Sequence, residues 1–216
     1  MNQPFEMIPK AVIFDLGKVL LDFDFSLAAK RLQPHCRVTT EQLRMFIDQS
    51  TLLFRFETGQ IDAGQFFVEV QSLSGYEGSF EGFSRIFADI FSPIDPMIEL
   101  QGQLTSHGIP TFVFSNTNDL AITHVRADYP FYSRFQGYVL SYEHGVMKPD
   151  PRLYEEVETM TGLSGPDLFY IDDRPENIET ALQRQWQAVV HQDATATIRA
   201  LRETGLMNWA PESQTP

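Results

Sequence analysis

The 216-residue chain has a single cysteine, Cys36, so it can form no internal disulfide and lacks the signature of a small secreted scaffold held by cross-links. An isolated thiol of this kind reads as an incidental side chain rather than a nucleophile. Positive charge is also short: 16 Lys and Arg stand against 29 Asp and Glu, a net charge of −13, with no basic stripe. Such a chain repels phosphate backbones, which argues against nucleic acid as a partner. Long apolar runs are missing too. The stretch from Ala11 to Leu21 is interrupted by Asp15 and Lys18, so it reads neither as a signal segment nor as a membrane span. A cytoplasmic protein that does not engage membranes is the expectation. Repeats and low-complexity tracts are absent, and the polar tail Pro211 to Pro216 is expected to fray.

What the chain does have is core. A hydrophobic fraction of 43% with 12% aromatics is too apolar for a disordered chain, and the length suffices for one or two folding units. Five short runs rich in β-branched and aromatic residues read as strands buried on both faces: Ala11–Asp15, Thr111–Ser115, Tyr138–Leu140, Leu168–Asp172 and Ala188–His191. Helical patterns lie between them, including Pro96–Ser106, Pro151–Thr161 behind Asp150 as N-cap, and Glu176–Arg184. Strand and helix alternate, which predicts an α/β fold with a parallel sheet and a ligand crevice beyond the carboxyl ends of its strands.

The segment from Phe25 to Phe91 has no comparable strand signal and several amphipathic helical patterns. Thr39 and Gln42 form a potential capping box for a helix over Glu41–Gln49, and Ala63–Leu73 places Phe66, Phe67 and Val70 at helical spacing. Its phenylalanines, Phe54, Phe56, Phe66, Phe67, Phe80, Phe83, Phe87 and Phe91, read as the core of a helical bundle in preference to an aromatic binding box. The division expected is a core of residues 1–22 and 95–216 and an inserted helical cap of residues 23–94, placed to open and close over the sheet's carboxyl end.

Polar groups stand where the strands end: Asp15, Ser115 and the Asp172-Asp173 pair. Each alone is an ordinary loop or cap residue. In order along the chain stand Phe14-Asp15-Leu16-Gly17-Lys18-Val19-Leu20, Phe114-Ser115-Asn116-Thr117-Asn118, Lys148-Pro149-Asp150-Pro151 and Ile171-Asp172-Asp173-Arg174-Pro175-Glu176-Asn177-Ile178. These four motifs and their spacing resemble the haloacid dehalogenase superfamily over nearly the whole chain. Within it they are most similar to the phosphatase-like branch with a helical cap, as in bacterial sugar-phosphate phosphatases such as the α-D-glucose-1-phosphate phosphatases.

The resemblance implies a Rossmann-like core and a Mg²⁺-dependent phosphatase acting on a small phosphorylated metabolite, with a sugar phosphate as one candidate. Asp15 would be the nucleophile, forming an aspartyl-phosphate that water hydrolyses. Asp15, the backbone carbonyl of Gly17, and Asp173 would hold the cation, with Asp172 and Asn177 behind them or acting through water. Lys148 would neutralise charge on the nucleophile and the transferring phosphoryl group, and Ser115 with the Asn116 amide would donate to phosphoryl oxygens. Glu57, Gly59 and Ile61 form the cap stretch most similar to that branch, with Gly59 read as a helix C-cap and Ile61 as core. Arg55 and Lys18 are candidates to meet an anionic substrate.

One departure matters. Most phosphatases of the superfamily carry a second Asp two residues beyond the nucleophile as general acid and base, and here that residue is Gly17. Loss of such help is typically worth about 10²–10⁴ in rate, so a slow enzyme is expected, and Gly17→Asp is expected to speed it on poor leaving groups. Asp22 and Asp24 are possible substitutes, with a hinge or solvent role the simpler reading. Two alternatives remain: a 2-haloacid dehalogenase, which the Asp172-Asp173 pair disfavours because uncompensated carboxylates beside Asp15 are costly, and a non-catalytic phosphometabolite-binding protein. Oligomeric state is not legible.

Overall fold

The computed structural model describes residues 7–48 and 50–208, so the tail expected to fray lies outside the described residues. Among the described residues the strands are β1 (Ala11–Phe14), β2 (Leu21–Phe23), β3 (Phe91–Pro93), β4 (Thr111–Ser115), β5 (Gly137–Leu140), β6 (Leu168–Asp172) and β7 (Gln187–Val190). The α-helices are α1 (Phe25–Leu32), α2 (Thr40–Ile47), α3 (Thr51–Glu57), α4 (Ala63–Ser74), α5 (Phe80–Ala88), α6 (Asp95–Ser106), α7 (Asp119–Asp128), α8 (Ser141–His144), α9 (Pro151–Thr161), α10 (Pro175–Gln183) and α11 (Ala194–Glu203). None is long and apolar enough to cross a membrane.

Five strands form a parallel sheet in the order β5-β4-β1-β6-β7. The pleat sends alternate residues to opposite faces. Val12 and Phe14 join a core with Met97, Leu100, Leu104 and Val113, whereas Ala11 and Ile13 join one with Phe114, Leu153, Tyr154 and Trp186. Helices therefore cover both faces, which explains why β1, β4 and β6 are buried throughout. The expectation of full burial fails at the two edges, where β5 and β7 are partly exposed because each has a strand neighbour on one side only.

Chain order makes β1 the turning point. The chain fills positions on one side of it with β4 and β5, then crosses to the other side for β6 and β7. At such a point the loops leaving adjacent strands diverge and open a crevice at the carboxyl ends. Asp15, Ser115 and Asp172 stand at the ends of the three strands that border it.

Helices α1 to α5 form a lobe with its own apolar cluster, including Leu43, Phe56, Phe66, Phe83 and Phe87. Phe56 and Phe66 stack with centroids 4.4 Å apart, and Phe83 and Phe87 stack at 5.6 Å. The capping box of Thr39 and Gln42 is formed, and a second, of Asp62 and Gln65, starts α4. Gly59 follows α3 with φ +64°, the left-handed conformation that glycine adopts without strain, and Ile61 is buried in the lobe core. The bundle-core reading is corrected at Phe54, which is 50% exposed, and at Phe80, 42% exposed. Sequence also missed β2 and β3. These pair antiparallel, Phe23 opposite Phe91, and hold the lobe's entry and exit strands side by side. Three-residue strands offer too little periodicity to register.

Candidate active site

The crevice is a cleft of about 450 Å³ that Asp15, Gly17, Asn116, Lys148, Asp173 and Asn177 line from the sheet side. Asp15 lies just past β1, and its N–H still donates to the Ile171 carbonyl of β6 at 2.9 Å, so its backbone is fixed by the ladder. Its Oδ1 accepts from the Leu16 N–H at 2.7 Å.

Lys148 arrives from the loop ahead of α9. The Asn116 side chain clamps its backbone from both sides, accepting from the Lys148 N–H at 2.7 Å and donating to its carbonyl at 3.0 Å. The ammonium is thereby aimed into the site. Nζ lies 3.0 Å from Asp15 Oδ1 and 2.7 Å from Asp172 Oδ2, and it also donates to the Phe114 carbonyl at 2.8 Å. Burial alone would lower this ammonium, but Asp15 and Asp172 outweigh it and hold Lys148 above its usual range.

The adjacent carboxylates differ. Asp172 is fully buried and saturated: Lys148 and Tyr170 donate to Oδ2, the Arg174 N–H donates to Oδ1 at 2.8 Å, and Asn177 Nδ2 reaches both oxygens at 3.0 Å. Burial pushes Asp172 up, yet Lys148 and the hydrogen bonds carry it below the ordinary carboxylate range. Asp173 instead faces the cleft, and burial with the Asp172 charge raises it. Asp15 is pushed up to about 7, first by burial and then by Asp172 and Asp173, with Lys148 opposing.

Asp15, Asp172 and Asp173 bring carboxylate oxygens within 4.8 Å of one another. Three carboxylates against one ammonium leave uncompensated negative charge. Asn177 spends its amide protons on Asp172, and its Oδ1 is buried without a partner among the described residues. Hard oxygen donors and an orphaned acceptor beside the cleft fit a small divalent cation such as Mg²⁺ with its bound waters.

The remaining expectations divide. Ser115 is buried at the end of β4, but its Oγ lies 3.4 Å from the Asn116 carbonyl, and it lines a neighbouring hollow of about 60 Å³ rather than the main cleft. Lys18 lines the cleft and pairs with Asp22. Arg55 does not: it pairs with Glu69 at 2.8 Å and borders a separate surface hollow. Neither Asp22 nor Asp24 lines the cleft. Asp24 instead caps α1 through the Ser26 N–H. For Gly17→Asp the structure adds a steric cost that the sequence does not show. A Cβ on Gly17 would stand 2.8 Å from Phe23 Cε1, so the Phe23 ring already fills the space a side chain there would need.

On the lobe side, Glu57, Phe54, Asp48 and Ser50 line the cleft, and Arg174 reaches it from the start of α10. None of them is a site residue by sequence alone, and Phe54 reads there as lobe core. The available signal was position: Arg174 sits inside the fourth motif, and Glu57 inside the Phe56–Ile61 stretch.

The chain is 25% identical over 195 residues to the sesquiterpene phosphatase astK of Aspergillus oryzae, covering 90% of this chain and 95% of that protein. It is 28% identical over 156 residues to flavin mononucleotide hydrolase 1 of Arabidopsis thaliana, covering 70% of this chain and 61% of the relative. Its fold matches that of a HAD family enzyme of Bacteroides thetaiotaomicron solved with magnesium and inorganic phosphate, with a TM-score of 0.75, 20% identity, and coverage of 88% of this chain and 100% of the other. A family profile described as haloacid dehalogenase-like hydrolase matches residues 9–183, from just before the first strand to the end of α10. The protein is therefore a member of the haloacid dehalogenase-like hydrolases.

Proposed function

We propose that this hydrolase is a Mg²⁺-dependent phosphatase of small phosphorylated metabolites, with Asp15 as nucleophile. The observation that carries the reading is the charge arrangement at the sheet's carboxyl end. Asp15, Asp172 and Asp173 converge around one buried ammonium, an excess of negative charge that suits a cation and, with it, a phosphate. A dehalogenase attacking carbon has little use for that excess. The similarity to two proteins named as phosphate-ester hydrolases supports the same reading.

In this mechanism an Asp15 oxygen attacks phosphorus in line, the bond to the leaving oxygen breaks, and water then hydrolyses the aspartyl-phosphate. Mg²⁺, when bound, would supply Lewis-acid charge neutralisation for the transferring phosphoryl group. Asp15, Asp173 and the Gly17 carbonyl would hold the cation, with Asp172 and Asn177 behind them. Lys148 favours the ionised form of Asp15, orients it and stabilises charge on the phosphoryl oxygens. Asn116 positions Lys148, and its backbone amide serves the phosphoryl group, with Ser115 acting from the adjoining hollow that shares Gly17 and Asn116 with the cleft. The helical lobe, residues 23–94, acts as a cap on a core of residues 1–22 and 95–216. Sugar phosphates are the first substrates to try. The aromatic wall of Phe23, Phe25 and Phe54 makes an apolar monoester the second.

The test is phosphate release from p-nitrophenyl phosphate, acetyl phosphate, sugar phosphates and an isoprenoid monophosphate, with Mg²⁺ or EDTA, comparing wild type with Asp15→Asn. Metal-dependent release that disappears in the variant supports the mechanism. Absence of any Asp15-dependent release from folded, Mg²⁺-loaded protein overturns it.

A further inference from the structure

A phosphatase with glycine two residues beyond its nucleophile still has to protonate a poor leaving group. Residue 17 has no side chain to do so, and the Phe23 ring stands beside it. Among the described residues the acids lining the cleft are Asp15, Asp48, Glu57 and Asp173. Asp15 and Asp173 belong to the cation-binding cluster, and Asp48 is paired with Arg44 at 3.2 Å. Glu57 is left, and its carboxyl has no hydrogen-bond or ion-pair partner among the described residues.

Glu57 ends α3, and its backbone is fastened to the core. Its carbonyl accepts from Ser141 Oγ at 2.6 Å, and the same Oγ accepts from the Thr117 N–H at 2.9 Å, just beyond β4. Two residues on, Gly59 passes so close to the Tyr142 carbonyl that a Cβ would stand 2.2 Å from it. A mobile lobe would not ordinarily hold a carboxyl at a fixed place over the sheet, but this contact pins the end of α3 against the loops that carry Asn116 and Lys148.

We propose that Glu57, reaching into the cleft from the helical lobe, is the general acid that protonates the departing oxygen in place of the missing second aspartate. This rests on the phosphatase reading. As the bond from phosphorus to the leaving oxygen breaks and Asp15 becomes phosphorylated, the Glu57 proton passes to that oxygen and leaves a carboxylate, which regains a proton from water before the next turnover. The surroundings favour the protonated form needed at the start: burial and the Asp48 charge push Glu57 up to about 7, with Arg174 opposing. Lys18, and the group of Asp15, Lys148 and Asp173, are the other charges around the cleft.

The experiment measures kcat/KM, which reports the steps through phosphoryl transfer, for wild type, Glu57→Gln and Asp15→Asn with Mg²⁺ on aryl phosphates graded from p-nitrophenyl to phenyl. The expected result is a loss of about 10²-fold or more in Glu57→Gln on phenyl phosphate and little change on p-nitrophenyl phosphate, whose leaving group departs without a proton. The wild-type rate on phenyl phosphate should fall as pH rises past neutrality, and the variant should lack that limb. A uniform loss across the series, or none, with wild type active through Asp15, overturns the assignment of Glu57 alone. No Asp15-dependent turnover of any ester overturns the phosphatase reading and this inference with it.

Discussion

The two walls of the cleft are built on opposite plans. On the sheet side the groups around Lys148 are held by hydrogen bonds: Asp172 is saturated, Lys148 bridges two carboxylates, and Asn116 clamps the lysine backbone, while Asp173 and Asn177 Oδ1 keep free oxygen acceptors toward the cation site. On the lobe side the lining is aromatic and loosely tied, with Phe54 half exposed and the Glu57 carboxyl free of partners among the described residues. The first wall gains precision from burial at strand ends, where the ladder fixes the backbone. The second keeps side chains able to adapt. Geometry that must be exact belongs on the rigid wall, and on the lobe wall the end of α3, pinned at Glu57 and Gly59, shares that rigidity while the aromatic lining can adapt.

The largest effect expected from breaking this contrast is at Lys148. Lys148→Met leaves Asp15 and Asp172 buried without their cation, and removing one member of a buried pair typically costs about 3–5 kcal/mol. Urea denaturation should show that loss, and Mg²⁺-dependent phosphate release should vanish. A variant as stable as wild type would show that the pair is already relieved by solvent.

Gly17→Asp comes next. The new side chain must displace the Phe23 ring, which packs edge-on against Phe25 and Phe91, and overpacking of this kind costs about 1–3 kcal/mol. Lower melting temperature and slower turnover are expected. Faster turnover would mean that Phe23 swings away at little cost.

A subtler test uses pH. Asp15 in metal-free protein is pushed up to about 7 against 3.8 when unperturbed, so between those values the folded form holds a proton that the unfolded chain has released. Stability of the metal-free protein should therefore fall as pH rises from about 4 to 7 through this group. Added Mg²⁺ should raise the melting temperature by more at pH 8 than at pH 5, where protons compete for the same oxygens. Equal shifts at both pH values would count against Asp15 as a ligand.

The smallest stability change is expected on the lobe wall. Phe54→Ala removes a side chain that is 50% exposed and should leave stability within about 0.5 kcal/mol, while KM for aromatic or apolar monoesters rises. A large loss of stability instead would mean that Phe54 belongs to the lobe core.

Much of the sheet side was legible in advance. The buried strands announced themselves as short β-branched and aromatic runs, and their ends came within a residue of those observed: β4 and β6 matched, β1 stopped at Phe14, and β7 ran from Gln187 to Val190. Helix α9 began behind Asp150 because the Asp-Pro pair fixes both the cap and the first-turn backbone. The lobe wall was harder to read. Arg55 and Lys18 stand out in sequence by charge, but helix rotation points Arg55 toward Glu69, and no single-residue pattern reveals which face of α3 meets the sheet. Glu57 is visible as a letter in a familiar stretch and invisible as an acid, since its environment depends on Ser141 and Arg174, both distant in the chain, and on Asp48 across a turn of the lobe.

The sequence by itself determined the parallel sheet, the order of its motifs and the residues that stand at the strand ends, because hydrophobic periodicity and cap chemistry are local properties of the chain. Tertiary structure alone decided that Asp172 is saturated while Asp173 faces the cleft, that Phe23 stands beside Gly17, and that Glu57 lines the same cleft as Asp15. Those facts depend on how distant segments pack, and packing sets the desolvation and partners on which each group's charge depends.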